Sequence, residues 1–342
     1  MSILTALSTP LTALLALPLL SSWSTTLNLA FVSLTYTTLA LTHSPLSIEL
    51  YGTTLIRLIL FLLPSLLFLA FDLLLPSLAV EVKAQGERGL PGSKRGRGGR
   101  GGRVCEVLGW SVLNVVLGIA VQVGLEWVAT EVLGVRSLLS IKGSKWGVNH
   151  LPNPWGMVKH LVVGYVGRNV LAYYIHTGLL HSPSIPFLTH YHLTWAHTLP
   201  CTPYSLTAAY DHPICFLLHK FLPLYLPAIL FRFHITTYLI LLALFSLEEL
   251  FTYSGYTVLP STVMLRGMAR RTDAHMMSKG KGNFGPVGML DWVHGTSLKG
   301  SNVVKDVGEE MDKHDVIDQA GSAANGIGSR VRDRMSKGRG KK

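Results

Sequence analysis

Residues 1–48 contain no lysine, arginine, aspartate or glutamate. A secretory leader needs a basic first segment, so this start does not read as one. Cysteine is also scarce. Cys105, Cys201 and Cys215 are three in number, widely spaced and without a CxxC pair, which excludes a disulfide framework and a zinc ribbon. Their plainest reading is small apolar packing groups. Charged residues make up only 14% of the 342, against 49% hydrophobic residues and a mean hydropathy of +0.37. That balance is wrong for a soluble globular chain of this length. Walker loops, Rossmann fingerprints and Ser-His-Asp contexts are missing. The glycines at 280–288 follow no strand and carry no dinucleotide reading.

What the chain has instead is long apolar runs. Residues 4–21 and 27–43 each approach the length of a membrane span. Residues 54–82 form a clear span candidate despite Arg57, Asp72 and two prolines. Asp72 is either an intramembrane functional carboxylate or a solvated group at the end of a tilted span. Residues 105–134 and 157–175 are further apolar helix candidates. The forty residues from 214 to 253 are about twice a bilayer core at 1.5 Å each, so they predict a helical hairpin turning near residues 232–237. His219, beside Lys220, and His234, at the turn, are expected at the head-groups.

Between the first and second groups of spans lies a glycine-rich basic segment, residues 83–104, with seven cations against one acid, Glu87. Its composition predicts a flexible linker. The positive-inside rule places it in the cytosol. The tail at 298–342 reads as disordered and basic, drawn to anionic leaflets. The net charge of +11 concentrates in these two segments, which speaks for membrane-surface contact and against nucleic acid as a partner. The domain reading is therefore 1–82 hydrophobic, 83–104 linker, 105–297 membrane domain and 298–342 tail. The fold expected is an all-α, polytopic transmembrane bundle with a histidine-rich helical cap on its cytosolic side.

Six of the fourteen histidines fall in residues 173–213: His176, His181, His190, His192, His197 and His212. Neutral imidazole is the commonest metal ligand, and clusters of it suit zinc, copper, iron or nickel. Both 176/181 and 192/197 are i,i+5 steps, which turn a side chain by about 140° on a regular α-helix. Joint ligation at this spacing requires a helix end, a turn or a π-bulge. Pro183 and Pro186 predict a helix ending just after His181. The spacing alone leaves a metal site and helix-capping or head-group histidines open as alternatives.

The stretches IHTGLLH, HYHLTWAH, AAYDHP, YSGY and DAHMMSKGKGNFGPVGMLDWVHGT, in that order over residues 105–297, resemble the fatty acid hydroxylase/sterol desaturase superfamily. The resemblance implies an integral membrane oxygenase with histidine-bound iron, two ions in the family's pattern. It also implies O₂ as oxidant, a lipid substrate, a cytochrome or reductase as electron donor, and residence in the endoplasmic reticulum membrane. The implied metal ligands are His176, His181, His192, His197 and His275, with His212 next. Asp273 is implied as an orienting carboxylate for His275, and Tyr253 as a group closing the pocket. An apolar passage from the bilayer to the cluster is expected with them.

The chain departs from the family's boxes at several positions. Leu193 and Ala196 stand in the second box, Thr272 and Met276 in the last, and Tyr253 where the family often has histidine. Glu248 or Glu249 is a candidate replacement for a missing ligand. Two function classes follow: an iron-dependent lipid hydroxylase or desaturase, or a family member without catalysis that binds lipid or scaffolds other proteins.

Overall fold

The computed structural model describes residues 23–91, 101–141, 152–199, 202–259 and 264–299. Among these residues there is no strand, only isolated bridges pairing Lys83 with Tyr256 and Ser140 with His234. The span candidate at 4–21, most of the basic run after Pro91, Cys201 and nearly all of the tail lie outside the described residues.

Among the described residues, four helices are long and apolar enough to cross a membrane. The first, α2, runs Pro45–Leu74, after a shorter α1 at Trp23–Thr42. Ser44 caps it through Ser47 N, with Pro45 at the first helical position, where its missing N–H costs nothing. It stops at Leu75, whose φ of −124° and ψ of 53° leave the helical region before Pro76. The single span expected over 54–82 is thus α2 followed by a separate short helix, α3, Pro76–Val82. The second spanning helix, α4, extends over Gly101–Trp127 into a π turn at Val128–Val132.

The third and fourth, α7 at Pro213–Leu230 and α8 at Ile235–Thr252, make the predicted hairpin. Its turn holds Arg232 at φ 47°, and His234 caps α8 through Thr236 N. His234 is buried against Tyr36 and Ile141 O, not exposed at the head-groups.

Between them lies α5, Pro154–Ile175, capped by Asn153. Twenty-two residues give it about 33 Å, but Lys159, His160 and Arg168 keep it from matching the other four in apolar character. It still runs the length of the bundle: His160 stacks on Phe233 at the α7–α8 turn, and its last turn delivers His176 to the opposite end. Gly164 lets α5 approach closely, because a Cβ there would meet Leu241 at 2.5 Å and Phe233 at 2.8 Å.

Charge inside the bundle is paired across helices. Adjacent carboxylates on α8 take guanidiniums from two different partners, Arg168 of α5 on Glu248 at 2.9 Å and Arg57 of α2 on Glu249 at 2.7 Å. One layer away, Gln122 donates to Glu49 Oε1 at 2.7 Å while Tyr225 donates to the same oxygen and Tyr238 to the Gln122 carbonyl, tying α2, α4, α7 and α8. Buried polar groups keep their place only when satisfied, so this network fixes one register of the four helices.

The basic segment is not a uniform linker. Residues 83–91 fold back: Lys83 is buried, ion-paired with Asp72 at 2.7 Å, and donates to Ser254 O at 2.7 Å. Asp72 also accepts from the Tyr256 hydroxyl at 2.7 Å, so it is a buried partner and not a solvated one. Arg103, at the start of α4, donates to Thr198 O. Residues 83–91 and the histidine region therefore share one end of the bundle.

Candidate metal centre

The irregular helix turns are what bring the imidazoles together. At the end of α5 a π turn spans His176–Leu180, closed by His181 N donating to His176 O at 3.0 Å. It turns an i,i+5 pair onto one face, with ring centroids 4.8 Å apart. The next helix, α6, Pro186–Trp195, carries His192 and tightens into a 3₁₀ turn at Ala196–Thr198 that carries His197. Those two rings are 5.0 Å apart. His275 comes from α9, Leu265–Met277, beyond the α7–α8 hairpin, and lies 4.8 Å from both His176 and His197.

Each of these five side chains offers a nitrogen within 4.8 Å of all the others. Imidazole nitrogens bind divalent metals at about 2.0–2.1 Å, so opposite ligands of one ion stand about 4.2 Å apart. The set needs only a few tenths of an ångström of contraction. The surroundings match a ligand set as well. His176 Nδ1 donates to Phe284 O at 2.8 Å, His275 Nδ1 to Gly282 O at 2.7 Å, and His192 Nδ1 to Asp211 Oδ2 at 2.7 Å. Tying Nδ1 in this way turns Nε2 and its lone pair inward, which is how metal-bound histidines are oriented. His181 Nε2, His275 Nε2 and both ring nitrogens of His197 are buried without a hydrogen-bond partner. His176 and His192 face each other Nε2 to Nε2 at 3.2 Å. In neutral rings with protonated Nδ1, those are two opposed lone pairs, and a cation between them is the natural relief. The donor set fits a metal ion.

Burial, reinforced by the neighbouring imidazoles, favours the neutral ring at His176, His181, His197 and His275. It holds His181 at about 2 and His275 at about 4, and pushes His176 and His197 well below the ordinary histidine range. Neutral imidazole is the form that ligates. Phe284 walls the cluster, its ring within 5.1–5.6 Å of His176, His181 and His275.

The glycine-rich segment after α9 is shaped for this purpose. Gly280, at φ 79°, passes so close to His181 that a Cβ would overlap its ring. Asp291, fully buried at the start of α10, Met289–Val293, accepts from Phe284 N and Gly285 N at 2.8 Å and from the Thr296 hydroxyl at 2.7 Å. It thereby holds the loop whose Phe284 and Gly282 carbonyls orient His176 and His275.

The remaining candidates lie elsewhere. His212 stacks on Tyr191 at 4.2 Å and caps α7 through Ile214 N, so it stands outside the set; its neighbour Asp211 reaches the cluster instead. Asp273 is buried and raised to about 7 by that burial, but His275 is oriented by Gly282 O and not by this carboxylate. Glu248 and Glu249 are engaged by arginines and do not join the five. Tyr253 accepts from Lys220 Nζ at 3.2 Å and lines a cavity of about 30 Å³ that borders His176 and His275. Charged groups surround this cavity, and it is far too small for a lipid chain, unlike the apolar passage expected. His219 sits inside as well, its ring 4.2 Å from that of His176, because the π turn at Leu217–Phe221 rotates it away from the head-groups.

Replacing Asp211 by asparagine should weaken metal binding about 10- to 100-fold, the usual cost of losing an outer partner of a ligating histidine. Metal titration of the purified variant reads this directly. An unchanged affinity would remove Asp211 from the site.

Residues 161–296 match the model of the fatty acid hydroxylase family. This span contains all five clustered histidines and the Asp291 loop, and it is consistent with the superfamily the sequence motifs resemble. No solved structure matches the chain.

Proposed function

We propose, starting from a membrane chain with a fatty acid hydroxylase segment, that this protein is an O₂-dependent hydroxylase or desaturase of a sterol or fatty-acyl lipid. The observation that carries the reading is the meeting of five imidazoles, four of them buried, and three of them oriented by a carbonyl or carboxylate. A scaffold without chemistry has no use for so costly a group of unpartnered nitrogens.

His176, His181, His192, His197 and His275 would hold iron, which supplies the redox chemistry with O₂ that side-chain acids and bases lack for an unactivated C–H bond. The chain's own contribution is orientation and exclusion. Phe284, O of Gly282 and Asp211 keep the rings in place, and the buried Arg–Glu pairs brace the helices beneath them. Electrons come from a separate cytochrome or reductase. The protein resides in the endoplasmic reticulum membrane with its histidine end in the cytosol, because that end also carries the basic segment after residue 83.

Sealed microsomes from cells making the chain test both parts. Added protease should cut within the basic run at 92–100, and a hydroxylated or newly unsaturated lipid should accumulate. Replacing His176 and His181 together by alanine should abolish both the product and bound iron while the protein still inserts. Metal-free wild-type protein of normal stability, or the same lipid profile with and without the two histidines, would sink the reading.

A further inference from the structure

Donor groups continue past the five histidines, but their character changes. Around the small cavity beside His176 stand His219, Lys220, Glu248, Glu249 and Tyr253. One imidazole and two carboxylates are the types a second ion needs, since paired ions stand about 3.5–4 Å apart and share ligands. None of the carboxylates is available. Glu248 is bonded to Arg168 at 2.9 Å and Glu249 to Arg57 at 2.7 Å. Lys220 Nζ is fixed by the Tyr253 hydroxyl at 3.2 Å and lies 4.7 Å over the Tyr253 ring. Three side-chain cations therefore meet two carboxylates, and charge is compensated before any metal enters. A divalent ion there would face an ammonium and two guanidiniums in a water-poor setting, where such repulsion is little screened. The five histidines, for their part, contain no carboxylate to bridge two ions, and Asp211 is engaged by His192.

We propose that the chain holds one metal ion, within the five-histidine set, and that the Lys220 ammonium occupies the place of a second. The inference rests on the metal reading above and departs from the two-ion pattern that the family resemblance implies. The cavity between Lys220 and the histidines has room for water-sized molecules. Lys220 thus presents a fixed positive charge and mobile protons to whatever small molecule meets the ion from that side.

The test is metal content. Full-length protein in detergent is loaded anaerobically with ferrous iron, desalted and assayed for iron per chain by elemental mass spectrometry. Wild type should retain one equivalent, and His275→Ala close to none. His219→Ala should still retain one, since His219 lies outside the set. The double variant Lys220→His with Tyr253→His removes the ammonium and adds two imidazoles, and should rise toward two.

Two equivalents in wild type would overturn the single-ion proposal while leaving the metal reading intact, and no iron in wild type would overturn the metal reading itself. Loss of the ion in a folded His219→Ala protein would also overturn the proposal, by placing His219 in the ion's shell. One equivalent in both wild type and a folded double variant would overturn the position assigned to Lys220.

Discussion

Metal-stripped protein should lose stability steeply as the pH falls from 7 to 5. Burial, chiefly, holds His275 at about 4 and His181 at about 2, against an ordinary value of 6.5 in the unfolded chain. Below pH 6.5 the unfolded chain takes up protons that the folded site refuses, so stability rises with pH in this window and is lost as pH falls. The loss continues down to the folded-state values. Each pH unit is worth about 1.4 kcal/mol per histidine. Between pH 7 and 5 these two groups alone remove about 4 kcal/mol, and His176 and His197 act in the same direction. Thermal unfolding in detergent at pH 7.5 and 5 measures the effect. His181→Gln with His275→Gln should flatten the slope, because glutamine does not titrate. Iron-loaded protein should hold its stability to lower pH, since the ion competes with the proton for the same lone pairs. A melting temperature that does not move with pH, or a slope unchanged by the two glutamines, would refute the protonation argument.

The largest single-site effect on folding belongs to Lys83. Replacing it by methionine leaves the Asp72 carboxylate, 2% exposed, with only the Tyr256 hydroxyl. It also removes the bond to Ser254 O and the ammonium seated 4.2 Å over the Tyr256 ring. Breaking one half of a buried pair costs about 3–5 kcal/mol, because the surviving charge stays desolvated. Replacing both partners, Lys83→Met with Asp72→Leu, should recover most of that loss, as apolar substitutes for a buried pair often do. Denaturant unfolding of the three proteins in one detergent gives the comparison. A single-variant loss below about 1 kcal/mol would mean the pair is hydrated, and the account above would fall.

These residues show what was legible in the sequence. The i,i+5 spacings require irregular helix turns to act jointly, and a π turn and a 3₁₀ turn are what the chain makes there. The hairpin at 214–253 follows from bilayer thickness, and its turn falls at 231–234. Lys83 is different. Its local composition is that of a solvated glycine-rich run, while its partners lie eleven residues before it and 171 after it. Local pattern carries no trace of such a tertiary pair. His219 misleads for the same reason: followed by lysine within an apolar run it reads as a head-group contact, and only the π turn directs it inward. In AAYDHP the metal chemistry suggests the histidine, but stacking on Tyr191 takes His212 away and the aspartate reaches the cluster. The departures at Ala196, Thr272 and Met276 do not break up the set, because the five histidines that remain are sufficient to surround one point.

His275 is supplied from beyond the α7–α8 hairpin, ninety-nine positions after His176. That separation gives the site an order of assembly. Four of the imidazoles leave the ribosome early, on α5 and α6, while the fifth can reach them only after two more helices have entered the bilayer and turned back. A nascent chain therefore completes its coordination shell last, once insertion is finished, and an ion bound there closes a loop of about a hundred residues, where a cross-link removes the most freedom from the unfolded chain. A chain stalled before the hairpin has only four of the five imidazoles and lacks the one that completes the set.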